Sequence, residues 1–237
     1  MGLPNLLNDV PRYDIKLPSA STEVKIRPFL VKEQKVLMIA AETKDPREIV
    51  KSMIDCVKSC VEGANVLELP THDLDYAFLK IRSKSVGEKA NIMTKCQSCQ
   101  ADNSVSIDLE KIEFSEDKTN KDIKLSDKII LKMKQPTYSD MLKNEKLFTG
   151  DLTPTETLFE TMFLCMDSVQ NEDENIMLKD ESREDLENFV NTFSNDQLQK
   201  VTDYIEGLPR VQHSQDYECA SCSSKNTFSM RGVQDFF

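Results

Sequence analysis

Apolar and polar residues recur along this chain with two distinct periods. Residues 23–29 (Glu-Val-Lys-Ile-Arg-Pro-Phe) alternate and predict a strand stopped by Pro28. Residues 31–43 then read as a helix with an apolar stripe of Val36, Leu37, Ile39 and Ala40. A second helix has Asp45 as N-cap, Pro46 at its first position and Glu48 at its third, and it closes at Gly63. Ile49, Val50, Met53, Ile54, Val57 and Val61 fall on its inner face. A third helix is predicted over about residues 73–83, with Leu74, Ala77, Phe78 and Ile81 facing inward. Alternation returns at residues 104–109, where Val105, Ile107 and Leu109 oppose Ser104, Ser106 and Asp108. Residues 128–134 form a further strand, stopped by Pro136.

From residue 138 to about 205 the period becomes helical. Helices are predicted over 138–148, from the Thr153-Pro154-Thr155-Glu156 capping box through Met166, over 183–192, and over 194–205 behind a Ser194/Gln197 box. Residues 171–187 carry eight carboxylates, and an acidic linker between helices and a partner-facing surface are both compatible with them. Residues 1–22 read as an irregular leader punctuated by Pro4, Pro11 and Pro18. Its Leu3, Leu6, Leu7 and Val10 have helical spacing, so a short anchoring helix and a loose tail are both compatible with it. With Phe236 and Phe237 at the other end, these apolar residues are candidate docking arms.

The chemistry in this pattern sits in two Cys-x-x-Cys pairs, Cys96/Cys99 and Cys219/Cys222. Each lies between two strand-like runs. A pair spaced this way presents two thiolates from one turn, and two pairs supply the tetrahedral shell of a structural zinc. A redox pair would open a helix in a βαβ setting, whereas strands follow here. Structural disulfides suit small secreted scaffolds, and no secretory signal is visible. Cys56 and Cys60, four apart on the second helix, read as buried free thiols. His72 and Asp73 read as helix-start residues, since no nucleophile stands at a recognisable spacing.

These elements give an α+β fold. A leader arm (1–22) precedes an α+β domain with the first knuckle (23–135), a helical insertion (136–208), and the second knuckle with the tail (209–237). The two knuckles close a split, zinc-ribbon-like β element around the insertion. Over 237 residues the net charge is −11. With no concentrated basic stripe and no tryptophan, that charge argues against nucleic acid as a partner. No apolar run approaches the roughly 20 residues of a membrane span. The absence of a secretory signal, with seven cysteines, fits a reducing compartment.

Two stretches carry a resemblance. Leu17-Pro18-Ser19 is followed by Val24-Lys25-Ile26-Arg27-Pro28-Phe29-Leu30-Val31-Lys32-Glu33. Later comes Leu69-Pro70-Thr71-x-Asp73-x-x-Tyr76-x-Phe78-Leu79-x-Ile81-Arg82-x-Lys84-Ser85-Val86-Gly87-Glu88. Together they resemble the baseplate hub assembly proteins of T-even-type contractile-tailed phages, over residues 15–135 and more loosely beyond. The resemblance implies a non-enzymatic structural or assembly protein that works through other phage baseplate hub proteins. It would act in the host cytoplasm during assembly, with the virion tail baseplate as a further location. It brings no catalytic residues, and it leaves a homo-oligomer open. The four cysteines rest on their spacing alone. The competing reading is a zinc-ribbon nucleic-acid-binding regulator, with Lys80, Arg82, Lys84, Lys89 and Lys95 near the first knuckle.

Overall fold

The computed structural model describes residues 9–19, 23–115, 117, 119–149 and 151–230. Helices and small antiparallel sheets make an α+β protein of two compact units. One unit runs to Ser115 and resumes at Arg210, and the other is Glu116–Pro209.

In the first unit, strand β1 (Tyr13–Lys16) pairs antiparallel with β2 (Glu23–Ile26), and β2 pairs with the short β3 (Val61–Glu62). The leader therefore contains a strand, Tyr13–Lys16, and Leu17 is buried. Its alternation is only four residues long between Pro11 and Pro18, too short to register as a strand in sequence. Helix α1 (Val31–Thr43) follows the predicted span, and α2 (Pro46–Cys60) begins as predicted, with the Asp45 side chain accepting from the Arg47 N–H at 2.9 Å. It ends at Cys60, not Gly63, because Val61 and Glu62 join the sheet. Helix α3 (Thr71–Val86) is longer than predicted at both ends. The core of this unit includes Ile26, Met53, Val57, Leu74, Phe78, Leu79, Ile81 and Ile107.

Many residues of the two resembling stretches meet here. Arg27 and Glu33 form a buried pair at 2.9 Å, and Arg27 also donates to the Ser59 and Pro28 carbonyls. The Ser19 N–H and hydroxyl both donate to Asp73, and the Ser85 hydroxyl accepts the Phe29 N–H at 2.9 Å. The Ser19 and Phe29 contacts tie the leader and the segment after β2 to α3, and the Arg27 contacts tie that segment to α1 and α2, so these stretches encode a framework.

Two hairpins complete the unit. Strand β4 (Lys89–Lys95) pairs with β5 (Asp102–Asp108). Strand β11 (Val211–Glu218) pairs with β12 (Lys225–Met230) and, at its start, with β6 (Glu113–Phe114).

The second unit holds a four-stranded antiparallel sheet, ordered β10 (Asn175–Met177), β9 (Met166–Gln170), β8 (Ile130–Met133), β7 (Asp122–Lys124). Helices α4 (Tyr138–Lys143), α5 (Pro154–Cys165), α6 (Arg183–Asn191) and α7 (Asn195–Gly207) supply the rest. Residues 136–208 are thus not all helical. The helix expected to include Met166 stops at Cys165, and the acidic stretch 171–187 contains a hairpin turn and a strand. Asn171 makes that turn, its side-chain oxygen accepting from the Asp173 and Glu174 N–H groups at 2.8 Å. Leu131, Met162, Cys165, Val201 and Tyr204 sit in its apolar core.

Candidate metal centre

Each CxxC pair is the tip of a hairpin. The last ladder pairs before the tips are Lys95↔Asp102 and Glu218↔Lys225, so residues 96–101 and 219–224 form loops of equal length. The loops repeat one another bond for bond. The Cys96 N–H donates to the Ala101 carbonyl at 2.9 Å, and the Gln100 N–H returns to the Cys96 carbonyl at 3.0 Å. In the second loop Cys219 and Ser224, then Ser223 and Cys219, make the same bonds, both at 2.9 Å. Closing such a turn forces one residue into the left-handed region, at Gln100 (φ 60°) and Ser223 (φ 56°). Each turn also aims an N–H back at its first sulfur: Ser98 at Cys96 and Ser221 at Cys219, both at 3.4 Å.

The structure brings the four predicted cysteines together. Their sulfurs all lie within 4.8 Å of one another, and the cross-hairpin pairs Cys96–Cys222 and Cys99–Cys219 are each 3.7 Å apart. A disulfide would need about 2.05 Å. A tetrahedral shell with Zn–S bonds of about 2.3 Å has S···S edges of about 3.8 Å, so the spacing suits a metal ion. Cys96 and Cys219 are buried, while Cys99 and Cys222 are exposed.

The surroundings favour anionic sulfur at the inner pair. The Ser224 hydroxyl, 3.3 Å from Cys96, together with backbone N–H groups, holds that thiol down at about 5. The Cys222 and Ser221 N–H groups and Asn103 lower Cys219 in the same way. At Cys99 the Ala101 N–H pulls downward, but the neighbouring thiols outweigh it and push the group up to about 12. Four thiols so arranged can hold one metal ion, and no coordination position would be left open.

Sequence reasoning missed two side chains that build this site. Asn103 and Asn226 are buried, and each reaches across to the other hairpin's loop. A repeated signal could have found them. Both knuckles read Cys-x-Ser-Cys-x-x-x-Asn, as Cys96/Ser98/Cys99/Asn103 and Cys219/Ser221/Cys222/Asn226. Only the Asn of this extension acts through its side chain. The serines act through backbone N–H groups that any residue but proline supplies.

The remaining candidates stand elsewhere. Cys56 and Cys60 are buried on α2, where the Cys60 sulfur and then burial push the Cys56 thiol well up. Cys165 is buried in the second unit and pushed up to about 12 by that burial. His72 and Asp73 are buried in the first turn of α3. Leu3, Leu6, Leu7, Phe236 and Phe237 lie outside the described residues. Among the described residues, no helix is long and apolar enough to cross a membrane.

Comparison with known proteins gives one result. A family model described as T4 bacteriophage base plate protein matches residues 10–237. No curated protein and no solved structure matches the chain.

Proposed function

The chain belongs to the family of T4 bacteriophage base plate proteins, and from that premise we propose that it is a non-enzymatic structural and assembly protein of the baseplate's central hub, its fold stapled by one structural zinc. The observation that carries this reading is the four-sulfur cluster. A shell made wholly of protein thiolates leaves no site for substrate or water, which is the form of a structural zinc and not of a catalytic one. Cys96, Cys99, Cys219 and Cys222 would hold the ion. Cys99 and Cys219 are 120 positions apart, so the ion would fix two remote hairpins of the same unit to one another. Residues 136–208 would then be carried as an insertion between the knuckles.

The work of the protein, in this reading, is contact with other baseplate hub proteins, in the host cytoplasm during assembly and then in the tail baseplate. Helix α1 supports it. That helix buries Leu37 and Ala40 but leaves Val31 79%, Met38 59% and Ile39 52% exposed. With Val36, also exposed, these are four large apolar side chains in water on one short helix, the kind of patch that association covers. A nucleic-acid ribbon finds less support, because the lysines closing each hairpin tip face acidic partners, Asp102 and Glu218.

Two measurements test the proposal. Elemental analysis of the pure protein should give one zinc per chain, and a metal-free, folded protein would end the zinc reading. Val31→Ser/Met38→Ser/Ile39→Ser and, separately, deletion of residues 1–12 should keep zinc while reducing co-purification with hub proteins from infected cells. Undiminished hub assembly with both variants would remove the contact reading.

A further inference from the structure

Each hairpin of the cysteine site completes the other hairpin's loop. Asn103 lies on β5 opposite Thr94, one step inside the tip and on the same inward face as Val105 and Ile107. Asn226 lies on β12 opposite Tyr217, one step inside its own tip, in register with the buried Phe228. The apolar face of each hairpin thus ends in an amide, and beyond the amide come the sulfurs.

The contacts of the two amides are related by the same repeat. The Asn103 Oδ1 accepts the Ala220 N–H at 2.9 Å, and its Nδ2 donates to the Ala101 carbonyl at 2.8 Å and to the Cys219 sulfur at 3.6 Å. The Asn226 Oδ1 accepts the Gln97 N–H at 2.9 Å, and its Nδ2 donates to the Ser224 carbonyl at 2.9 Å and to the Cys96 sulfur at 3.5 Å. Each amide therefore grips its own loop through a carbonyl and the opposite loop through an N–H and a sulfur. These roles fix the orientation. The oxygen must face the N–H, and the nitrogen must face the carbonyl. A carboxylate of the same shape would keep one bond, but it would set a negative oxygen against a carbonyl and a sulfur.

Resting on the zinc reading above, we propose that Asn103 and Asn226 are reciprocal positioning residues of the metal site. Each donates across the hairpin boundary to the first, buried cysteine of the other pair, so that neither knuckle is a competent half-site without its partner. An N–H directed at a thiolate sulfur stabilises its negative charge and fixes its lone pairs toward the metal, as outer-shell donors do at other sites. The loops direct backbone N–H groups at each inner sulfur from their own turn. The asparagines add an amide donor from the opposite hairpin. Metal uptake then requires both hairpins to be docked.

The test uses the full chain, stripped with chelator and titrated with Co²⁺, then with Zn²⁺ in competition with a chromophoric chelator. The variants are Asn103→Ala, Asn226→Ala, Asn103→Asp and Asn226→Asp. We expect the wild type to take up one Co²⁺ with the intense sulfur-to-cobalt charge-transfer bands of a four-thiolate site. Each variant should bind about 10- to 100-fold more weakly, with the Asp variants at least as weak as the Ala ones, while showing the same bands at saturation. The variants should lose more stability, read as the urea midpoint, with metal bound than without it, since the amides bond the loops in either state and the sulfur contacts add to this only through the bound ion. Failure of the wild type to bind Co²⁺ would overturn the zinc reading and this inference with it. Tight binding by all four variants would overturn this inference and leave the zinc reading standing. An equal loss of stability with and without metal would also overturn it, since the amides would then be framework groups only.

Discussion

The two compact units close in different ways. Glu116–Pro209 surrounds a dense apolar core in which Met162, Val201 and Leu131 are fully buried. Even its buried charge is provided for. Glu160 is gripped by both terminal nitrogens of Arg183 at 3.1 and 2.7 Å and by the Asn144 amide at 2.6 Å, and Arg183 stacks 3.8 Å over Phe163. The paired hairpins of the first unit lack such a core at their tips. Strand β4 leaves Met93 66% exposed, and the inward faces of β5 and β12 run out of apolar side chains at Val105 and Phe228. A two-stranded hairpin by itself is marginal in water. Where apolar side chains end, this chain places two amides and four sulfurs instead. Burial alone can hold one region, while the other depends on directional contacts that a single ion would complete.

The largest effect should come from breaking that directional region. Cys219→Ser removes a buried sulfur, and we expect loss of the metal and a destabilisation of the two hairpins by several kcal/mol, on the order set by structural zinc in small domains. Hydrogen exchange read by mass spectrometry should show residues 89–108 and 211–230 losing protection while 130–133 and 154–170 keep theirs. Chelation of the wild type should give the same pattern. The converse change is Met162→Ala in the second unit. Deleting a fully buried methionine side chain should cost about 2–5 kcal/mol, with protection lost in α5 and β9 and metal content unchanged. If either change melts both units together, the contrast between them fails, and the chain folds as one cooperative body.

Much of this was legible in the sequence because it rested on local chemistry. The Asp45–Pro46 and Thr153–Pro154 starts are satisfied by side chains within the same turn, so local residues suffice to read them. The meeting of the four cysteines was inferred from two spacings, since only a shared ligand makes two such pairs meaningful. The strands at 13–16, 113–114, 166–170 and 175–177 were not legible. Each is short, and each owes its existence to a partner distant in sequence or to a turn, as β6 does to Val211 and Gln212. Asn103 and Asn226 escaped for a related reason. A lone asparagine near a turn ordinarily bonds its own backbone, and their reach across hairpins depends on a docking that no local pattern describes.

The smallest of the expected effects concerns how the first hairpin is fixed at its base. Glu110, just beyond β5, receives Lys80 at 2.5 Å, the Ser83 hydroxyl at 2.7 Å and Lys84 at 3.3 Å, all three from α3. Lys80 and then Ser83 hold its carboxyl down at about 2, below its ordinary 4.5. A group depressed on folding stabilises the protein above its unfolded pKa, so this contribution is complete above about pH 4.5 and disappears as the pH falls through about 2. One third of the Glu110 side chain and of Lys84 is exposed, so solvent screening limits the contribution to below about 1 kcal/mol. Glu110→Gln should therefore lower the urea midpoint slightly at pH 7, less in high salt, and the gap from wild type should close toward pH 2. Both proteins are compared without metal, so that acid release of the ion does not enter. A gap that persists unchanged at pH 2 would assign the loss to the hydrogen bond from Ser83 and not to charge. The apolar second unit should show no corresponding change in hydrogen exchange at any pH in the series.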